Sequence, residues 1–233
     1  MSGEVISLIV PTRGRPNYIK QLWESAYSLA SRKDLLEIVF RIDNDDTASL
    51  EAISNLYSEY GDKIVLFSGK RITLSECNNQ AYSLAKGDII WLGGDDNLFK
   101  TKSWDDVIRR EFDEYDDRIC LVGGNDLCNQ EIITHPFLSR EFINELGGKI
   151  APFQFKYNYT DTVLNDIANG IGRVIKTNVV IEHLHFSNGK REVDETTKSS
   201  IEGINDAAYQ YEIAKPEISN IIRRIKNKIS LYS

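Results

Sequence analysis

Three continuous apolar runs in the first half of the chain, Val5 to Val10 (VISLIV), Leu35 to Ile42 (LLEIVFRI) and Ile89 to Leu92 (IIWL), are separated by stretches of helical period. This alternation constrains the fold more than any other feature. Between the first two runs, Ile19, Leu22, Trp23, Ala26 and Leu29 recur at helical spacing, so a helix is expected over residues 17–31. A second helix is expected from Ser49 to Tyr60 and a further strand from Lys63 to Ser68. Ser75-Glu76-Cys77-Asn78-Asn79 opens a third helix that runs through Ala85 and is ended by Gly87. Strands alternating with helices at this interval are parallel and joined by crossovers. The unbroken run Ile89-Ile90-Trp91-Leu92 marks a strand buried on both faces, as parallel sheets require.

The second half continues the pattern less regularly. Helices are expected over residues 105–115 and 140–146, and a short strand over 119–122 is followed by a tight Gly123-Gly124-Asn125-Asp126 loop. Thr160 reads as the N-cap of a helix carrying Val163, Leu164, Ile167, Ala168 and Ile171 on one face. Val174 to Glu182 is the last expected strand, with His183-Leu184-His185 at its end. Beyond Thr196 the chain turns polar and finishes in an amphipathic helix whose Arg223-Arg224-Ile225-Lys226-Asn227-Lys228 stretch reads as a solvated face. The expected organisation is one domain over residues 1–195 with a helical extension over 196–233.

Composition narrows the class. A chain of 233 residues with 41% apolar content can bury a full core, and a net charge of −7 argues against a protein whose main task is coating nucleic acid. Cys77, Cys120 and Cys128 are odd in number and form no C-x-x-C pair, which indicates neither a disulfide framework nor a zinc knuckle. There is no signal-like succession at the start and no apolar run near the roughly 18 residues of a membrane span, so a cytoplasmic protein without an integral membrane segment is expected.

The chemistry concentrates where the third apolar run ends, in Gly93-Gly94-Asp95-Asp96-Asn97. In open α/β sheets the ligand crevice lies beyond the carboxyl ends of the strands. Successive residues of an extended segment point to opposite sides, so one aspartate can take a metal while the other meets a neighbouring hydroxyl. Mg²⁺ and Mn²⁺ prefer oxygen ligands and commonly combine one or two carboxylates with substrate phosphates, which suits a metal–diphosphate complex. Two turn acids can also simply cap the next segment or stay solvated. Trp91 and Trp104 read as packing residues.

Strand 1 ending in Pro11-Thr12-Arg13, strand 2 ending in Asp43-Asn44-Asp45, Asn79 eight residues before Gly87, and then Asp95-Asp96-Asn97 together resemble a family 2 glycosyltransferase of the GT-A fold. The spacing from Gly87 to the acid pair is similar to that of the spore-coat polysaccharide enzymes of that family. The resemblance runs from about Val5 to His185. It implies a Rossmann-like, mostly parallel sheet flanked by helices, and a transfer of sugar from a nucleotide-diphosphate donor, with a UDP-sugar as the first choice. Pro11, Thr12 and Arg13 would lie against base and ribose, and Asp43 would hydrogen-bond the base or ribose, with Asp45 a weaker candidate. Asn79 belongs to the same nucleotide-binding set. Asp95 would face the ribose or donor sugar, and Asp96 would hold Mn²⁺ or Mg²⁺, with His183 and His185 both placed to complete the metal site. Gly94 stands where the commoner family pattern has an acid.

An inverting transfer also needs a carboxylate to take the proton of the acceptor hydroxyl. The resemblance assigns that role to Asp161, in a first helical turn that favours its ionised form. Lys190 and Arg191, in a glycine-containing loop, could neutralise the diphosphate, and His135 precedes the segment that usually lines the acceptor cleft. A surface glycan is the default acceptor and a hydroxylated base in nucleic acid a lesser one. A nucleotidyltransferase would ordinarily show a glycine-rich loop after strand 1, where this chain has only Gly14, and a non-catalytic binding module could dispense with Asp161.

Overall fold

A computed structural model describes residues 3–128 and 131–230, so the outer ends of the expected domain and of the C-terminal extension lie outside the described residues. The apolar runs form strands β1 (Ile6–Thr12), β2 (Leu36–Asp43), β3 (Ile64–Gly69) and β4 (Ile89–Leu92). They pair in parallel in the order β3-β2-β1-β4. Helices α1 (Pro16–Leu29), α2 (Thr47–Tyr60) and α3 (Leu74–Leu84) make the crossovers. Pro16 starts α1 where its missing N–H is no loss. Asp46 and Thr73 cap α2 and α3 by accepting from Ser49 N (3.2 Å) and Glu76 N (3.3 Å).

Each face of the sheet has its own core, which is why β2 is buried along its whole length and β1 along nearly all of it. Leu8, Val10, Ile38 and Phe40 pack with Ile19, Leu22 and Trp23 of α1, whereas Ile9, Val39 and Ile90 face Ala81 of α3 and the later helices. Trp91 and Trp104 are fully buried, as packing residues should be.

Beyond β4 the sheet continues through β7 (Phe137–Ser139), β6 (Leu121–Asn125), β8 (Val174–His183) and β5 (Asn97–Phe99), completing the order β3-β2-β1-β4-β7-β6-β8-β5. β7 is antiparallel to β4 and β6, and β5 is antiparallel to β8. β5 and β7 were not expected, because three residues carry no periodic pattern. Gly123 and Gly124, expected in a tight loop, lie within β6: a Cβ on Gly123 would overlap Ile133, and one on Gly124 would fall 2.5 Å from Val179 O.

Helices α4 (Trp104–Phe112), α5 (Arg140–Glu145), α6 (Thr160–Gly170), α7 (Glu195–Glu202) and α8 (Ile204–Ile229) complete the fold. The N-cap of α6 is Tyr159 rather than the expected Thr160, in a left-handed conformation (φ 77°). That conformation costs a non-glycine residue about 1–2 kcal/mol, and the Tyr159 ring stacks on Tyr211 of α8 at 5.0 Å. Ala214, Ile218, Ile221 and Ile225 of α8 are buried in one core with Val163, Leu164, Ile167 and Ala168 of α6. The basic face of α8 points outward, with Arg224 and Lys228 reaching Glu145. Among the described residues no helix is long and apolar enough to cross a membrane.

The turn after β4 depends on close approach. A Cβ on Gly93 would overlap the six-membered ring of Trp91, which is buried and whose Nε1 donates to His135 O (3.0 Å). Gly93→Ala is therefore expected to cost about 1–3 kcal/mol of stability. The check is a lower urea midpoint at unchanged m.

Candidate active site

At the carboxyl ends of β1, β2 and β4 lies a cavity of about 960 Å³, closed on its far side by the loop after β6, the start of α6, the end of β8 and α7. Of the residues expected in a site, Pro11, Thr12, Arg13, Asp43, Asp95, Asp96, Asp161, His183 and His185 line it, and His135 joins them. Asp45, Asn79 and Lys190 do not line it.

The two acids point to different sides, but they do so from a turn between β4 and β5 and not from the extended segment expected. Asp95 faces β1, where Thr12 Oγ1 donates to its Oδ2 (2.6 Å) and Arg15 Nη1 to its Oδ1 (2.8 Å). Asp96 faces β8, with Oδ1 3.4 Å from His183 Nε2 and Oδ2 3.1 Å from Arg191 Nη2. Burial pushes the Asp95 carboxyl up to about 6 against the pull of Arg15. Burial works the same way on Asp96, but the hydrogen bond and charge of His183 together with Arg15 outweigh it and hold Asp96 below the usual carboxylate range. At Gly94, where the resemblance leads one to expect an acid, a Cβ would lie 2.9 Å from Asp96 Oδ1 and 3.3 Å from Asn97 Nδ2, so the turn is close around the glycine.

Arg15, which sequence reasoning passed over, ties the site together. Besides Asp95 it is 3.3 Å from Asp96 Oδ2, and its Nε and Nη2 donate to Asp194 (2.6 and 3.1 Å) at the N-cap of α7. Two arginines in Pro11-Thr12-Arg13-Gly14-Arg15-Pro16 were the available signal, with nothing to say which points inward.

At the ends of β1 and β2, Asp43 Oδ2 accepts from Arg13 (2.8 Å) and its Oδ1 from Arg41 (2.8 Å). Asp45, outside the cavity lining, braces Arg13 through a two-pronged contact (2.5 and 2.9 Å) and is 62% exposed. Asn79 also lies outside the lining, its amide spanning the backbone of Ala151 in both directions (2.9 and 3.0 Å). Its neighbour Asn78 lines the cavity instead, 4% exposed, with Oδ1 buried and lacking a hydrogen-bond partner. Leaving such an atom unsatisfied costs about 1–3 kcal/mol, and a turn of the side chain would be needed to bring it to a ligand in the cavity.

Asp161 is half-buried in the first turn of α6, where Thr162 N donates to its Oδ1 (2.9 Å). Burial, only partly offset by backbone hydrogen bonds, raises its carboxyl to about 6. The three histidines form a row, with ring centroids 4.7 Å apart for His135–His183 and 4.9 Å for His183–His185. Burial lowers His135 to about 3, keeping it neutral. His185 Nδ1 is engaged by Ser187 Oγ (2.7 Å). Lys190 turns outward to Glu182 (3.3 Å), and Arg191 takes the inward place expected of it.

For a metal, Asp96 Oδ1 and His183 Nε2 are the matched donors, because two bonds of about 2.1 Å can meet across their 3.4 Å separation. Among the described residues no group of three or more His, Cys, Asp and Glu side chains is assembled for a metal.

This mixed sheet, flanked by helices and with its crevice at the strand ends, has the GT-A fold. S. aureus TarS residues 1–349 superpose with a TM-score of 0.59 at 15% identity over 75% of this chain and 58% of that one. The mannosyltransferase PcManGT from Pyrobaculum calidifontis, solved with GDP-Man and Mn²⁺, gives 0.58 at 17% identity over 96% and 74%. GalNAc-T7, solved with UDP, GalNAc and Mn²⁺, gives 0.60 at 13% identity over 77% and 44%. No curated protein matches the chain in sequence. Residues 7–195 match glycosyl transferase family 2, and the chain belongs to that family.

Proposed function

We propose that the enzyme transfers a sugar, with inversion, from a nucleotide-diphosphate donor, a UDP-sugar by first choice, to a hydroxyl of a glycan. The observation that carries this reading is that Asp161 and the Asp95–Asp96 pair enter one cavity from different elements, leaving room for a donor sugar and an acceptor between them. Similarity to enzymes solved with GDP-Man or UDP and Mn²⁺ supports the donor class and a divalent cation, Mn²⁺ or Mg²⁺. Held by Asp96 and His183, that cation would neutralise the departing diphosphate.

The chain's own groups do the rest. Asp43 and its two arginines seat the nucleoside, and Asn78 offers an amide to the edge of the base. Asp95, fixed by Thr12 and Arg15, orients the ribose or donor sugar. Arg191 exchanges Asp96 for the diphosphate. Asp161 takes the hydroxyl proton as the acceptor oxygen bonds to the anomeric carbon and the bond to diphosphate breaks on the opposite face. A cytoplasmic location remains the proposed compartment on the sequence grounds above.

The test is a thermal-shift and hydrolysis panel of nucleotide-sugars with Mn²⁺, since a ligand that binds the native state raises its melting temperature. A shift with at least one donor is expected, and Asp96→Ala should abolish its Mn²⁺ dependence. If no donor shifts or is hydrolysed, and Asp96→Ala leaves UDP binding unchanged, the reading fails. Asn78→Ala is expected to weaken UDP binding about 5–10-fold, the equivalent of one hydrogen bond, measurable by calorimetry.

A further inference from the structure

We infer that the acceptor is an electrically neutral glycan, not a phosphate-bearing polymer, a uronic-acid polysaccharide or a nucleic acid. This rests on the transfer reading above and concerns the half of the cavity that the donor leaves open.

The cavity is asymmetric in charge. Among the described residues its cations are Arg13, Arg15, Arg41, Arg71 and Arg191, and no lysine lines it. Four of them come from the segment after β1, from β2 and from the segment after β3, the side read above as the nucleotide's. Arg13, Arg15 and Arg41 are bonded to aspartates there, and the charge of Arg71 acts on Asp45. Arg191 comes from beyond β8 but turns back onto Asp96 and Asp194. Past His183 the lining changes to Asp126, Glu131 and Asp161, with the rings of Tyr157 and Phe186 and without a lysine or arginine.

An anionic acceptor would bring its charge beside these carboxylates with no cation to receive it, whereas polyanion binding is built on Lys and Arg at the phosphates. It would also disturb the proton acceptor. A further negative charge near Asp161 favours its protonated form, and burial has already raised that carboxyl. A neutral glycan meets the same wall favourably. Its hydroxyls donate charge-assisted hydrogen bonds to carboxylates, and the apolar face of a pyranose can lie on Tyr157 or Phe186. The net charge of −7 acts in the same direction at longer range.

The experiment is transfer by the full chain, with Mn²⁺ and the donors selected by thermal shift, onto an array of neutral oligosaccharides, phosphate- and uronate-bearing oligosaccharides, and single- and double-stranded DNA. Label is expected on a neutral probe at least tenfold above every anionic class, and its yield should change less than twofold between 50 and 200 mM NaCl. Label concentrated on an anionic class, or a yield that falls steeply with salt, overturns the inference. So does an array without label while donor hydrolysis persists, because the array spans the common neutral linkages. Loss of both donor hydrolysis and nucleotide binding would instead remove the transfer reading and is recognised separately by the thermal-shift panel.

Discussion

Asp161→Asn is expected to lower turnover about 10²–10⁴-fold, the usual contribution of a positioned general base, while UDP affinity stays within about twofold. The variant keeps the shape of the side chain and its acceptor oxygen for Thr162 N, so folding is not at issue. The pH profile sharpens the test. Burial raises this carboxyl to about 6, so the ionised, proton-accepting form is lost as pH falls through that value. Wild-type kcat/KM should then drop about tenfold per pH unit below 6, and the residual rate of Asp161→Asn should be flat over the same range. A residual limb near 6 in the variant would assign the titration to Asp95, whose carboxyl burial also raises to about 6. Unchanged turnover would remove Asp161 from the proton transfer altogether.

Arg15→Ala is expected to be the most destabilising single substitution at the site. The side chain is 12% exposed and lies between Asp95 and Asp96, exposed 3% and 7%. Removing one member of a buried ion cluster leaves charge uncompensated, which typically costs about 3–5 kcal/mol. Urea unfolding at neutral pH measures this directly. Arg15→Lys should recover only part of the loss, because one ammonium cannot reproduce the forked contacts to Asp95 and Asp194 at once. Saturating Mn²⁺ with UDP should shrink the difference from wild type, since a cation at Asp96 supplies positive charge where the guanidinium was. A stability loss under about 1 kcal/mol would mean that water or rearrangement compensates the acids, and that Arg15 is not the tie between the acid pair and α7.

The sheet from β1 to β4 was legible because its strands are continuous apolar runs and its crossovers have a clear helical period. The acid pair was legible because it falls at a strand end beside a double glycine. Choices between neighbours were not. Asn78 and Asn79 differ by about 100° around α3, so one enters the cavity while the other grips Ala151, and no residue type reveals that rotation. Lys190 and Arg191 pose the same problem in a turn, where backbone direction decides which cation meets Asp96. Arg15 could not be chosen over Arg13 because its partners are as much as 182 residues away in sequence. The antiparallel insertions β5 and β7 are short and fixed by long-range pairing, which local pattern does not record.

Helix α6 presents Asp161 at its first turn, yet the surface that steadies α6 belongs to α8, which begins nine residues after the family match ends at residue 195. Each buried isoleucine of Ile218, Ile221 and Ile225 contributes roughly 1.5–3 kcal/mol, and Gly170 is small because Ile222 rests on it. Ending the chain at residue 195 would remove α8, the surface behind Asp161, and with it α7, whose Thr197 meets both Arg15 and Arg191. Variation along α8, far from any substrate, is a route by which such an enzyme could be tuned or silenced without a change in the cavity itself.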